Sequence, residues 1–251
     1  MFRKFVAAGA ACLLAMAAFP AEATYFPTGW DTTDRVTVDK DDVGLNFVVD
    51  FMGKANGAYT SNLSALGSFT FTGLSNSSKT WNFSYSLTND SNYDSRIRAF
   101  GFDTDAPTPD PTAVDGKTGF TYESRNVSFI EGVGTMDMCF SQGNNNCTAH
   151  TSSGGINDGA VGAGTFSITF ASAMETASFN HFALKFLSVN PTIGGQDWGA
   201  GLGTIVSVTP PPGSAITAPE PGTWLMMLGG FGLVGFSLRR RRSLVLRAQI
   251  A

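Results

Sequence analysis

Trp81-Asn82-Phe83-Ser84-Tyr85-Ser86-Leu87 alternates large apolar residues with amide and hydroxyl residues. A period of two puts every ring on one face of an extended chain and every polar group on the other, as a half-buried antiparallel strand requires. The same rhythm recurs in Phe166, Ile168 and Phe170 around Ser167 and Thr169, and in Leu45, Phe47, Val49 and Phe51, broken once by Val48. Residues 35–40, 68–74, 96–102, 178–188 and 204–208 are further predicted strands. Gly, Asn, Asp and Pro clusters separate them, as at residues 103–116 and 154–164. No comparable stretch between the chain ends has a helical period. Many short strands in one domain of this size predict an all-β fold, an antiparallel β-sandwich, with a jelly roll as one topology that fits.

Composition agrees with a buried core. The chain has 251 residues, of which 43% are hydrophobic and 14% charged. It is neither a basic nucleic-acid binder, which needs clustered cations, nor a charge-rich disordered chain, which has few apolar residues. Its cations gather at the ends. Arg3 and Lys4 precede an apolar run over residues 5–19, followed by Pro20-Ala21-Glu22-Ala23. A cationic start, a short apolar helix and small residues at Ala21 and Ala23 are the layout of a secretory signal peptide, which predicts processing by signal peptidase after Ala23. Cys12 follows Gly9-Ala10-Ala11 and lacks the leading Leu of a lipidation site.

At the other end, residues 209–218 carry Pro210, Pro211, Pro212 and Gly213 and read as an extended linker. Pro219-Glu220-Pro221 follows, then an uncharged apolar stretch over residues 222–238, then Arg239, Arg240, Arg241 and Arg242. That stretch is at the short end of what crosses a hydrocarbon core of about 30 Å, and Trp224 stands where an interfacial aromatic belongs. Four arginines stop transfer and hold their side in the cytoplasm, so the body of the chain is expected outside.

Pro-Glu-Pro, a Gly-rich apolar helix and a terminal arginine cluster together resemble the PEP-CTERM sorting signal of Gram-negative bacteria. The resemblance implies that a membrane-embedded exosortase recognises and removes the tail. A plain single-pass anchor would share the apolar helix and the arginines. The Pro-Glu-Pro motif and its position separate the two.

Five segments follow: a signal peptide (1–23), an exported β-sandwich domain (24–208), a Pro-rich linker (209–218), the sorting signal with its transmembrane helix (219–242) and a short cytoplasmic tail (243–251). Residues 24–218 carry 9 Lys and Arg against 18 Asp and Glu, a net charge of −9 that repels nucleic acid and anionic membrane. Cys139 and Cys147 are the only cysteines between the two signals. In an oxidising compartment such a pair across a turn-rich loop is most simply a disulfide, whereas a redox pair would be closer, as in Cys-x-x-Cys.

Asp103, Asp105, Asp110 and Asp115, and the turn Asp39, Asp41 and Asp42, lack calcium-loop spacing and read as solvated turn residues. His150 and His181 form no zinc motif, and there is no nucleophile elbow or phosphate-binding loop. No metal, cofactor or catalytic residue is assigned, and the expectation is a protein that is not an enzyme. Paired carboxylates of a glycosidase, defined by separation in space, stay open.

Phe182-Ala183-Leu184-Lys185-Phe186-Leu187-Ser188-Val189 and Gly194-Gly195-Gln196-Asp197-Trp198-Gly199, after a Cys-bearing loop and a Gly-rich stretch, resemble the cistern family of PEP-CTERM proteins. That resemblance implies export rather than a particular activity. The whole reading is of an exported protein, transiently anchored in the inner membrane, with a structural or adhesive role in the outer envelope or an extracellular exopolysaccharide or biofilm matrix. A carbohydrate-binding module is the alternative, with Trp30, Tyr59, Tyr93 or Trp198 stacking on sugar, and a glycan-active enzyme is a third.

Overall fold

The computed structural model describes residues 34–142, 147 and 154–213. The predicted signal helix, the tail helix, Ala21, Ala23, the Pro-Glu-Pro motif and the four arginines lie outside the described residues. Among those described, no helix is long and apolar enough to cross a membrane.

Twelve strands follow in order: β1 (Arg35–Asp39), β2 (Asn46–Ala55), β3 (Ala58–Ser75), β4 (Thr80–Asn89), β5 (Asp94–Thr104), β6 (Ala113–Thr118), β7 (Tyr122–Phe129), β8 (Gly134–Ser141), β9 (Ile156–Asn157), β10 (Val161–Thr169), β11 (Thr176–Asn190) and β12 (Trp198–Thr209). One 3-10 turn, Ile130–Gly132, separates β7 from β8. The alternation that opens the sequence reading is β4, where Trp81, Phe83, Tyr85 and Leu87 are buried and the residues between them are half-buried. In β2 the apparent break at Val48 is none, because Val48 occupies an outward position between buried Phe47 and Val49. Residues 103–116 and 154–164, read from sequence as separators, contain parts of β5, β6, β9 and β10.

All pairings are antiparallel along the path β6-β10-β4-β3-β2-β12-β11-β5-β8-β7, with β1 on β11 and β9 on β5. The β2–β3 hairpin turns on Asn56-Gly57, both at positive φ (51° and 75°), the pair that a two-residue turn between right-twisted strands demands. The sheet folds over on itself as a barrel-like sandwich. Rings meet across the interior from opposite halves: Phe69 with Phe100 at 5.8 Å, Tyr85 with Phe100 at 5.0 Å, and Phe140 with Phe166 at 4.7 Å between centroids. Aromatic pairs at such distances add to the apolar area they bury. β6 and β7, at the two ends of the path, touch beside the short turn joining them.

A second, smaller apolar cluster covers the outer face of the β12-β11-β5-β8 half. It holds Ala99, Phe129, Ile130, Val133, Met136, Cys139, Cys147, Ala183, Ala200 and Leu202. This half is therefore buried on both faces, which explains why β5, β8 and β11 lack a clean alternation.

Candidate functional site

Register builds the site. Directly paired residues of antiparallel strands share a face, and the pairings align Tyr122, Ser141, Ala99, Lys185, Ala200, Lys54 and Tyr59 in one row across β7, β8, β5, β11, β12, β2 and β3. The row runs over the outer face, under the smaller cluster, with a tyrosine at each end. Trp198, two residues from Ala200, packs with Tyr59 against that cluster. Of the aromatic residues proposed from sequence, Tyr59 and Trp198 come to the same face. Tyr93 packs instead against the main core, and Trp30 lies outside the described residues.

The rim is tied down by side-chain to backbone bonds. Asn56 N–H donates to Gln196 Oε1 at 2.6 Å, and Gly57 N–H donates to Glu131 Oε2 at 3.2 Å. Burial pushes the Tyr59 hydroxyl above its ordinary range. The predicted disulfide is present: Cys139 and Cys147 are bonded with Cα atoms 6.3 Å apart, and both are buried in the smaller cluster. It ties Cys147 to β8 on this face.

Two cations stand within the same region. Lys185 is 0% exposed and Arg98 is 4% exposed. Lys185 pairs with Ala99 while the next pair is Phe186 with Ile97, so Arg98 is the extra residue of a β-bulge beside Lys185. Burial, and then the neighbouring positive charge of Arg98, bring the Lys185 ammonium down to about 8. Burial and the charge of Arg96 lower Arg98. Sequence reasoning passed over both residues, although each announces itself as a lone cation inside an apolar run, Leu184-Lys185-Phe186 and Ile97-Arg98-Ala99-Phe100.

The acidic residues mostly serve turns and strand ends. Asp42 accepts the Asp39 N–H at 2.9 Å and Asp39 accepts the Asp41 N–H at 3.0 Å, as turn residues do. Asp105 pairs with Arg35 at 3.0 Å. Asp103 is more engaged: its carboxylate contacts His181 Nδ1 at 3.0 Å and accepts the Asp137 N–H at 2.9 Å, while Asp137 accepts from Thr104 N–H and Oγ1. Among the described residues no group of three or more His, Cys, Asp or Glu is arranged to hold a metal ion.

The array can therefore present the rings of Tyr59 and Trp198 and half-buried Lys54 on one face, while Lys185 and Arg98 stay buried. No curated protein and no solved structure matches the chain. Residues 217–242, spanning Pro219, Glu220, Pro221 and the four arginines, match the family model of the PEP-CTERM protein-sorting motif, the signal for exosortase-dependent export and sorting.

Proposed function

We propose that the protein is a non-enzymatic structural or adhesive component of the outer envelope or of an extracellular polysaccharide matrix, delivered there after exosortase removes its tail. The observation that carries the reading is the sorting motif at residues 217–242, placed after a β-sandwich whose chain segment 24–218 carries a net charge of −9. In this reading signal peptidase generates a new N-terminus at Thr24. The arginines stop transfer, the apolar stretch holds the chain transiently in the inner membrane, and Pro219-Glu220-Pro221 presents it for processing.

The test is the size and fractionation of the protein in wild-type and exosortase-deleted cells. A shorter, released form in the wild type and a full-length, membrane-bound form in the deletion support the reading. Pro219→Ala with Pro221→Ala should reproduce the deletion phenotype while leaving insertion intact. Replacing Arg239, Arg240, Arg241 and Arg242 should instead disturb topology. An identical full-length inner-membrane product in both strains would make the tail an ordinary anchor and remove the support for a matrix role.

A second reading, glycan binding, is favoured by the convergence of Tyr59 and Trp198 on one face, since ring faces suit sugar faces. Its test is retention on the host's own exopolysaccharide by the wild type and by the Tyr59→Ala and Trp198→Ala variants. Equal retention of all three would end it.

A further inference from the structure

We propose that β1 is an exchangeable strand: two copies of the chain swap it reciprocally, each laying its β1 into the slot on the other's β11. The inference concerns assembly of the β domain itself and stands whether or not the tail is cleaved.

A fork in the sheet makes the slot. β12 pairs with β11 only from Trp198 to Leu202, and from Gly203 onward β2 is its one ladder partner. On the opposite edge of β11, Phe179 and Asn180 are held by Thr104 and Asp103 of β5. Residues 176–180 therefore offer a single edge, on the side that β12 has left, and Arg35–Asp39 fills it. Val36 and Val38 enter the main core at 2% and 0% exposure, while Thr37 Oγ1 meets Ser178 Oγ at 2.8 Å on the outer side. Asp34 closes the far wall by accepting the Ile205 N–H.

Topology frees the strand to move between chains. β1 forms no ladder with β2, the strand that follows it, and its side-chain partners Asp105 and Ser178 stand 70 and 141 residues away. Withdrawing it leaves the path from β6 to β7 whole. The β1 of a second copy meets the vacated slot with the same register and the same buried valines, so complementarity between copies is already built and only the link must reach. That link is Lys40-Asp41-Asp42-Val43, since the Gly44 N–H is already bonded to the Phe71 carbonyl. Folded back, it is held by local bonds, from the Asp42 N–H to the Asp39 carbonyl and from the Asp39 N–H to Asp42 Oδ2. Straightened, four residues span about 14 Å.

The surface around the hinge needs a cover. β1 and the second half of β12 run in the same direction, both antiparallel to β11, so the link lies toward the Thr209 end of the fork. Around it Val43, Val206 and Val208 are 51%, 55% and 49% exposed. Apolar side chains grouped at one end mark an interaction site, and a copy exchanging through this hinge is brought against that end.

The test uses the purified full chain. Thr37→Cys with Ser178→Cys in one chain should link within that chain, because the two oxygens already touch. The two single variants, one of them carrying heavy nitrogen, are then mixed, opened in mild denaturant, returned to buffer and oxidised. A disulfide between position 37 of one isotope and position 178 of the other is expected by mass spectrometry. Its yield should rise severalfold for about a tenfold rise in protein concentration, as mass action requires. After the same treatment the wild type should show a dimer by light scattering, and the double variant, oxidised beforehand as a monomer, should stay monomeric. If a cysteine variant does not fold, the wild-type measurement still decides. No link between unlike isotopes, or a wild type that is monomeric at every concentration, would overturn the proposal. A pre-linked double variant that dimerises as readily as the wild type would overturn it equally, by placing association on another surface.

Discussion

The hydroxyl of Tyr85 receives the backbone N–H of Phe120 at 2.9 Å, and donates in turn to the carbonyl of Thr118 at 3.3 Å. Tyr85 lies on β4, while residues 118–120 form the turn from β6 to β7, so one phenol fastens the place where the two ends of the sheet meet. The turn is shaped to admit it. Gly119 has φ of +77°, and a Cβ there would collide with the Tyr85 hydroxyl.

Removing that hydroxyl should therefore loosen the closure. Tyr85→Phe keeps the ring contacts with Phe100 and Phe120 but leaves the Phe120 N–H without its acceptor. A loss of about 1–3 kcal/mol is expected, read by denaturant unfolding. Stability equal to the wild type would show that the fastening is passive.

The same phenol predicts an alkaline limit. Burial pushes Tyr85 up to about 12, against an ordinary value of 10.0. Its folded value lies above its unfolded one, so the contribution is fully present below about pH 10 and is lost as pH rises toward 12. Unfolding free energy measured across that window should fall in the wild type and fall less steeply in Tyr85→Phe.

Lys185 has the opposite sign. Its folded value of about 8 lies below the ordinary 10.5, so between these the unfolded chain holds more protons, and stability should rise with pH. At neutral pH, Lys185→Met should be more stable by on the order of 2–3 kcal/mol. The rise between about pH 8 and 10.5 should vanish in this variant. A variant less stable than the wild type, with an unchanged pH profile, would contradict the assignment.

Reduction should cost less than loss of the core. The disulfide joins residues separated by 8 in sequence, and closing so short a loop in the unfolded chain is worth about 2–3 kcal/mol. Paired Cys139→Ala and Cys147→Ala should lower stability by that amount in urea titration. By contrast Phe100→Ala, which removes a ring touching both halves of the sandwich, should cost about 3–5 kcal/mol.

Legibility followed burial. β4 and β2 bury one face and solvate the other, and their alternation was read correctly from side-chain type alone. β7 shows mostly exposed positions and β6 is short and charged, so neither carries an apolar rhythm to detect. β8 failed for the opposite reason: Met138, Cys139 and Phe140 are buried on successive positions because the smaller cluster covers the outer side. The cysteine pair was legible because its reasoning needed only spacing and compartment. The row from Tyr122 to Tyr59 was not, since it depends on seven strands being in register, which no local pattern encodes.

The placement of β12 has a mechanical consequence. Over its first half this strand lies between β11 and β2, and over its second half it stays bonded to β2 out to Thr209. Residues beyond Thr209 lead toward the sorting motif. A pull directed along β12 from that side loads its ladder bonds in shear together and does not peel them one after another. Asp34 adds a crosswise tie by accepting the Ile205 N–H at 2.8 Å. In the proposed export route, where the tail holds the molecule, shear along β12 is the loading that its pairing with two strands opposes most directly.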